Sequence, residues 1–201
     1  MKSRPFVLAV TGGIGAGKST VCEIFSVLGF QVYSADDRAK WLMAHCQELV
    51  VAIKETFGEE CYSSKGELNR RFLAQRVFND GEELSKLNAL VHPVVKADFE
   101  SWVGSQREQD IVIKEVALLF ENRGEADVDG SLLVSADEDT RIERVLSRDL
   151  QRTASEVKAI IGKQMPEKEK RTLADWIIDN DGNSLIIPQV LKIRDDILRG
   201  K

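Results

Sequence analysis

The sequence predicts a three-layer α/β fold in which a parallel sheet carries a glycine-rich loop and receives a helical insertion. Three observations predict it: a wholly apolar run at 6–10 that stops at glycines, a glycine-rich segment that opens a helix directly after it, and apolar runs that return at 111–120 and 130–135 after a long helical stretch. A continuous apolar strand suits burial on both faces, which is the usual condition of a strand in a parallel sheet.

Taken in order, Phe6-Val7-Leu8-Ala9-Val10 forms the first strand and a helix follows over 18–28, closed by Gly29. Residues 31–34 make a second short strand that leads into a helix over 36–46. From 47 to 103 apolar residues recur at near-helical spacing, as in Leu49-Val50-Ile53-Phe57 and Leu84-Leu87-Leu90-Val91-Val95-Phe99, so the stretch reads as an all-helical insertion. After the strands at 111–120 and 130–135 comes a charged helix over 137–150. Thr153, with Glu156 three residues on, then caps a helix that runs to Gln164. These two helices suggest a lid at 137–165. Trp176-Ile177-Ile178 is a last strand, 179–182 a turn, and 185–198 a closing helix with Pro188 near its start. The expectation is one unit, 1–201, with a core of 1–46 and 104–201 and an insertion at 47–103.

A chain of 201 residues is long enough for one sizeable core with such an insertion. Its 43% apolar and 30% charged residues, with only 4 Pro, are those of a folded globular protein. A net charge of −5 offers no basic face to displace counterions, so a general nucleic-acid role is not expected. Cys22, Cys46 and Cys61 are odd in number and lack Cys-x-x-Cys spacing, which argues against a disulfide framework or a structural zinc and for a reducing cytoplasm. Basic residues at 2 and 4 precede the first apolar run as in a signal peptide, but the run ends after five residues, so neither a signal core nor a membrane partner is expected.

Gly12-Gly13-Ile14-Gly15-Ala16-Gly17-Lys18-Ser19 matches the pattern Gly, four residues, Gly-Lys-Ser/Thr, and it sits between a buried strand and a helix, the context that gives the pattern meaning. Glycines let successive amides of such a P-loop face one phosphate group while the helix N-terminus adds partial positive charge. Lys18 then meets the β- and γ-phosphates of ATP, and the Ser19 hydroxyl is placed to ligate Mg²⁺.

Other candidates carry two readings each. Asp36 follows the second strand at the edge where ligands bind in open α/β sheets, so it is either a general base or a helix N-cap, with Asp37 a first-turn acid. Arg141, Arg144 and Arg148 fall within about 60° of one another around a helix, making either a phosphate-closing face or a solvated charged one. Glu115 and Glu121 flank 116–120, where either acid could serve a metal-bound water or a substrate amine. His92 is either a structural hydrogen-bonder or a catalyst.

Together these segments resemble the dephospho-coenzyme A kinase family nearly end to end. The resemblance rests on Thr11 through the P-loop to Thr20, on Asp36 at the place of the family's proposed base, and on Leu68-Asn69-Arg70, Val77-Phe78 and Leu87-Asn88-Ala89-Leu90-Val91-His92-Pro93, which look like its coenzyme-A-binding helices. Leu118-Leu119-Phe120-Glu121 is similar to the segment after its third strand. Arg141 through Arg148-Asp149 and Gln164-Met165-Pro166 resemble its lid, and Ala174-Asp175 with 178–182 its adenine-side turn. Two departures are Ser34, where many members have Asp, and Ala117, where many have Pro. The resemblance implies transfer of the ATP γ-phosphate to the ribose 3′-hydroxyl of dephospho-coenzyme A, with Mg²⁺, by a monomer or small homo-oligomer. It implies Asp36, Lys18 and Arg148 as catalytic residues, and Gly13, Ile14, Gly15, Ala16, Gly17, Lys18, Ser19, Thr20, Arg148 and Asn180 around ATP. Asp36, Asn88, His92, Leu118 and Glu121 would meet the acceptor.

Two rivals differ in what they require. A GTPase switch needs a guanine-reading Asn/Thr-Lys-x-Asp, which the sequence lacks, and Asp127-Val128-Asp129-Gly130 precedes a strand instead of ending one. A nucleoside or nucleoside-monophosphate kinase shares the sheet, lid and insertion, and is told apart by the Leu-Asn-x-x-x-His-Pro segment.

Overall fold

The computed structural model describes residues 4–78 and 80–200, so the basic start at 1–3 lies outside the described residues. Five parallel strands form one sheet: β1 (Phe6–Thr11), β2 (Gln31–Ser34), β3 (Ile111–Glu115), β4 (Gly130–Ser135) and β5 (Trp176–Asp179), ordered β2-β3-β1-β4-β5. The described helices are α1 (Lys18–Val27), α2 (Ala35–His45), α3 (Gln47–Phe57), α4 (Arg70–Phe78), α5 (Gly81–Ser105), α6 (Glu138–Arg148), α7 (Ala154–Gly162), α8 (Glu167–Leu173) and α9 (Ile186–Arg199). They divide between two compact units: the sheet with α1 and α6–α9, covering 4–34 and 106–200, and a helical unit, Ala35–Ser105.

In the sheet unit, strand alternation sends side chains to two layers. Leu8 and Val10 of β1, with Ile111, Ile113, Leu132 and Val134, pack against Phe25 of α1 and Val190 and Ile193 of α9. Ala9 points the other way, into a second cluster with Leu119, Phe120 and Met165. Each fully buried Leu, Ile or Phe here contributes about 1.5–3 kcal/mol. Because all strands run parallel, their C-terminal ends share one edge, and the P-loop leaves β1 there.

In the helical unit, Leu42 of α2 joins Leu49, Ile53 and Phe57 of α3, Leu73 of α4 and Val91 of α5 in one core. This explains why the unit starts at Ala35 and not at 47: the apolar face of α2, with Ala39 and Met43 beside Leu42, is buried against the insertion's own helices. Pro93 lies inside α5, which continues through it at the loss of one backbone donor.

Two elements differ from the sequence reading. The strand expected over 111–120 ends at Glu115, because its partner β1 turns away into the glycine loop after Thr11. The last bond between them runs from the Val116 amide to the Val10 carbonyl. Leu119 and Phe120 keep their burial in a turn instead. Helix α8 has no apolar stripe to announce it, since of Glu-Lys-Glu-Lys-Arg-Thr-Leu only Lys170 is buried. The Thr153–Glu156 capping box forms as expected, and among the described residues no helix is long and apolar enough to cross a membrane.

Candidate active site

The P-loop spans the turn from β1 into α1, and α1 begins at Lys18 without a side-chain cap. Its first amides therefore open onto the loop instead of being closed by a neighbouring hydroxyl, the arrangement that draws an anion. Gly15 has φ 78, and a β-carbon there would overlap the backbone carbonyl of Arg141, so both conformation and space require glycine. Lys18 reaches back over the loop, its Nζ donating to the carbonyls of Gly12 at 2.8 Å and Gly13 at 3.3 Å. Ala16 is fully buried under the bend and Thr20 is exposed on the first turn of α1.

The Ser19 hydroxyl donates to Glu115 Oε1 at 2.9 Å. Glu115 ends β3 in register with Val10 and Ser34, so the strand end brings its carboxylate to the P-loop hydroxyl. The Thr11 hydroxyl donates to the Ala117 carbonyl at 3.4 Å, an acceptor that a proline at 117 would also carry. One turn along α1 from Lys18, Cys22 is buried, and burial with the nearby Glu115 charge pushes its thiol well above the usual range, leaving it protonated and unreactive.

The three arginines of α6 share a face but not an environment. Arg141 is 6% exposed; its Nη1 stands where a β-carbon on Gly13 would be, and the same Nη1 lies 3.9 Å from Glu167. Its Nε is buried without a hydrogen-bond partner. Arg144 is half-buried and its Nη2 donates to Asn180 Oδ1 at 3.4 Å. Arg148, two turns along from Arg141, is exposed. Asn180 is buried and its Nδ2 donates to the Ala16 carbonyl at 2.8 Å, tying the turn after β5 to the P-loop. Burial was the signal that sequence spacing lacked: it distinguishes Arg141 from Arg148, which the pattern treats alike.

Glu121, expected at the acceptor, has one carboxylate oxygen engaged within the sheet unit, while its Oε2 is buried without a hydrogen-bond partner among the described residues. Oε1 lies 2.8 Å from Nζ of the buried Lys170 and accepts from the Met165 amide at 2.9 Å. Burial raises this carboxyl, but the Lys170 ammonium and the amides around it outweigh that and hold it below its usual value. Leu118 is exposed in the turn after β3. In the helical unit, Asp36 is exposed in the first turn of α2; since α2 starts at Ala35, it is not the N-cap, and Asp37 beside it pairs with Lys40 at 2.8 Å. Asn88 and His92 lie one turn apart on α5, half-buried and exposed respectively.

A P-loop between β1 and α1 of a five-stranded parallel sheet, with the arginines of α6 beside it, is the architecture of a P-loop kinase. The family model for dephospho-CoA kinase matches residues 6–185. The dephospho-CoA kinase of Staphylococcus aureus is 36% identical over 189 residues, covering 94% of this chain and 91% of its own length. A crystal structure from Thermus thermophilus is similar with a TM-score of 0.86 at 36% identity, covering 98% of this chain and 99% of that one. The dephospho-CoA kinase from Campylobacter jejuni is similar with a TM-score of 0.70 at 25% identity, covering 96% and 98%. The chain belongs to the dephospho-CoA kinase family.

Proposed function

We propose that the chain transfers the γ-phosphoryl group of ATP to the ribose 3′-hydroxyl of dephospho-coenzyme A, the final step of coenzyme A synthesis, through the residues named here. The observation that carries the reading is the P-loop, with Lys18 and Ser19 at the start of an uncapped helix, in a chain whose residues 6–185 match the family. Within 13–20, loop amides other than the Ile14 N–H, which meets Gln164, hold the triphosphate together with the Lys18 ammonium, and Asn180 with Arg144 borders the adenine side. Arg148 closes on the transferring group as the lid moves, which suits an exposed arginine two turns beyond the loop.

Ser19 and Glu115 would hold Mg²⁺: a hydroxyl and a carboxylate 2.9 Å apart are hard oxygen donors at the phosphate loop. Among the described residues no group of three or more His, Cys, Asp or Glu side chains stands ready for a metal, so water and phosphate oxygens would complete the shell, as suits Mg²⁺. When bound, the ion neutralises charge on the β- and γ-phosphates. Asp36, two residues beyond β2 at the sheet's ligand-binding edge, takes the proton from the acceptor hydroxyl. Asn88, His92 and Leu118 contact the acceptor, and Glu121 serves it indirectly. The compartment proposed is the reducing cytoplasm, with all these groups on one chain acting as a monomer or small homo-oligomer.

The test is one assay: the protein with Mg·ATP and, in parallel, dephospho-coenzyme A, adenosine and nucleoside monophosphates, with products resolved by mass. The 3′-phosphorylated product should form fastest. Faster turnover of adenosine or a monophosphate would transfer the assignment to the related small-molecule kinases.

A further inference from the structure

The segment between α7 and α8 meets the P-loop through the side chain of Gln164. Gln164 Oε1 accepts from the Ile14 amide at 3.1 Å, so one loop N–H is directed at protein. The backbone carrying Gln164 is itself held from two sides. The Gln164 amide closes the end of α7 by donating to the Ile161 carbonyl at 3.0 Å. The Met165 amide donates to Glu121, and the Met165 side chain packs beneath β1 with Ala9, Leu119 and Phe120. Glu121 is in turn fixed by Lys170, which is 1% exposed and belongs to α8. A carboxylate on the turn after β3 thus meets both the backbone next to Gln164 and a lysine of α8, and the Gln164 carboxamide reaches from that backbone to the loop.

We infer that Glu121 and Lys170 are positioning residues that act through Gln164, holding the P-loop at Ile14 in the conformation that receives the nucleotide. Gln164 supplies the acceptor, and the ion pair supplies its fixed origin. A glutamine side chain is long and flexible, and without a pinned backbone the entropy of ordering it would offset the single hydrogen bond it makes. The buried pair is then retained for the place it defines, since buried ion pairs add little net stability. The inference rests on the nucleotide reading of the P-loop given above and extends it to residues outside that loop.

Calorimetric binding of Mg·ATP without acceptor tests it. Gln164→Met keeps the volume and removes the acceptor; ATP affinity should fall about fivefold to tenfold, with the thermal midpoint and the KM for dephospho-coenzyme A unchanged. Glu121→Leu/Lys170→Met removes both charges together, so no buried ion is stranded, and should weaken ATP by a similar factor. The triple variant should bind ATP no more weakly than the weaker of the two, because all three changes interrupt one path. Wild-type ATP affinity in Gln164→Met overturns the inference, as does a triple variant whose losses multiply. If the double variant does not fold, Gln164→Met decides alone. Failure of the wild-type protein to bind ATP would instead sink the nucleotide reading itself.

Discussion

Asn180→Ala tests how far the P-loop is built before the nucleotide arrives. Asn180 is 7% exposed, and its Nδ2 donates at 2.8 Å to the carbonyl of Ala16, itself fully buried. Truncation removes that donor and also the weak acceptor of Arg144 Nη2 at 3.4 Å. Leaving a buried carbonyl short of its donor costs about 1–3 kcal/mol. Where that cost falls depends on the loop. If the bend stays in place, the whole cost appears as lost folding stability. If it relaxes and must be re-formed around the phosphates, the cost appears as weaker ATP binding, about tenfold for each 1.4 kcal/mol. Urea denaturation and Mg·ATP titration on the same variant should therefore give losses that together reach about 1–3 kcal/mol. Asn180→Asp sharpens the test, because it keeps the shape but turns an acceptor toward the Ala16 carbonyl. It should be worse than alanine even though its other oxygen would still meet Arg144. The reasoning is refuted if Asn180→Ala changes neither quantity by more than about 0.5 kcal/mol, or if the aspartate outperforms the alanine.

Asp36→Asn should lower kcat by at least about a hundredfold while ATP affinity stays within about twofold; equal turnover in the variant removes Asp36 from the base role. Arg148→Ala should slow phosphoryl transfer with little change in the KM for dephospho-coenzyme A, as seen in single-turnover kinetics, and an unchanged rate would return this exposed residue to the solvated face. Folding stability should fall as the solution is acidified, because Glu121 titrates below its usual 4.5 in the fold: its contribution is complete above that value and is lost as pH drops through the lowered one. Unfolding free energies measured between pH 6 and pH 3 that stay level or rise toward acid would contradict this.

The sheet was legible because its strands announce themselves twice, by apolar runs and by what ends them. Phe6–Thr11 stops at glycines and Gln31–Ser34 follows the Gly29 break, and both lie within a residue of the expected bounds. The strand that begins at 111 is shorter than its apolar run because apolarity reports burial and not pairing: Leu119 and Phe120 are as buried as strand residues but have no ladder partner once β1 bends away. Helix α8 was invisible for the opposite reason, as its one buried side chain is a lysine. The helical unit starts earlier than its sequence pattern suggests because a helix after a strand reads as core by position, whereas the burial of Leu42 against α3 and α5 decides its company.

At the site, what could be read was chemistry fixed by local order along the chain, and what could not was chemistry fixed by distant partners. Gly12 through Ser19 declare a phosphate loop because the amides that bind are consecutive. Glu115 and Glu121 were equivalent in sequence, two acids either side of one apolar run. The fold separates them: Glu115 ends a strand whose register carries it to Ser19, while Glu121, six residues later and past the turn, meets an ammonium from α8. The α6 arginines follow the same rule. Their spacing puts Arg141, Arg144 and Arg148 on one face, yet about 1.5 Å of rise per residue spreads them over roughly 10 Å along the axis. Arg141 therefore lies against Gly13 while Arg148 stays in solvent.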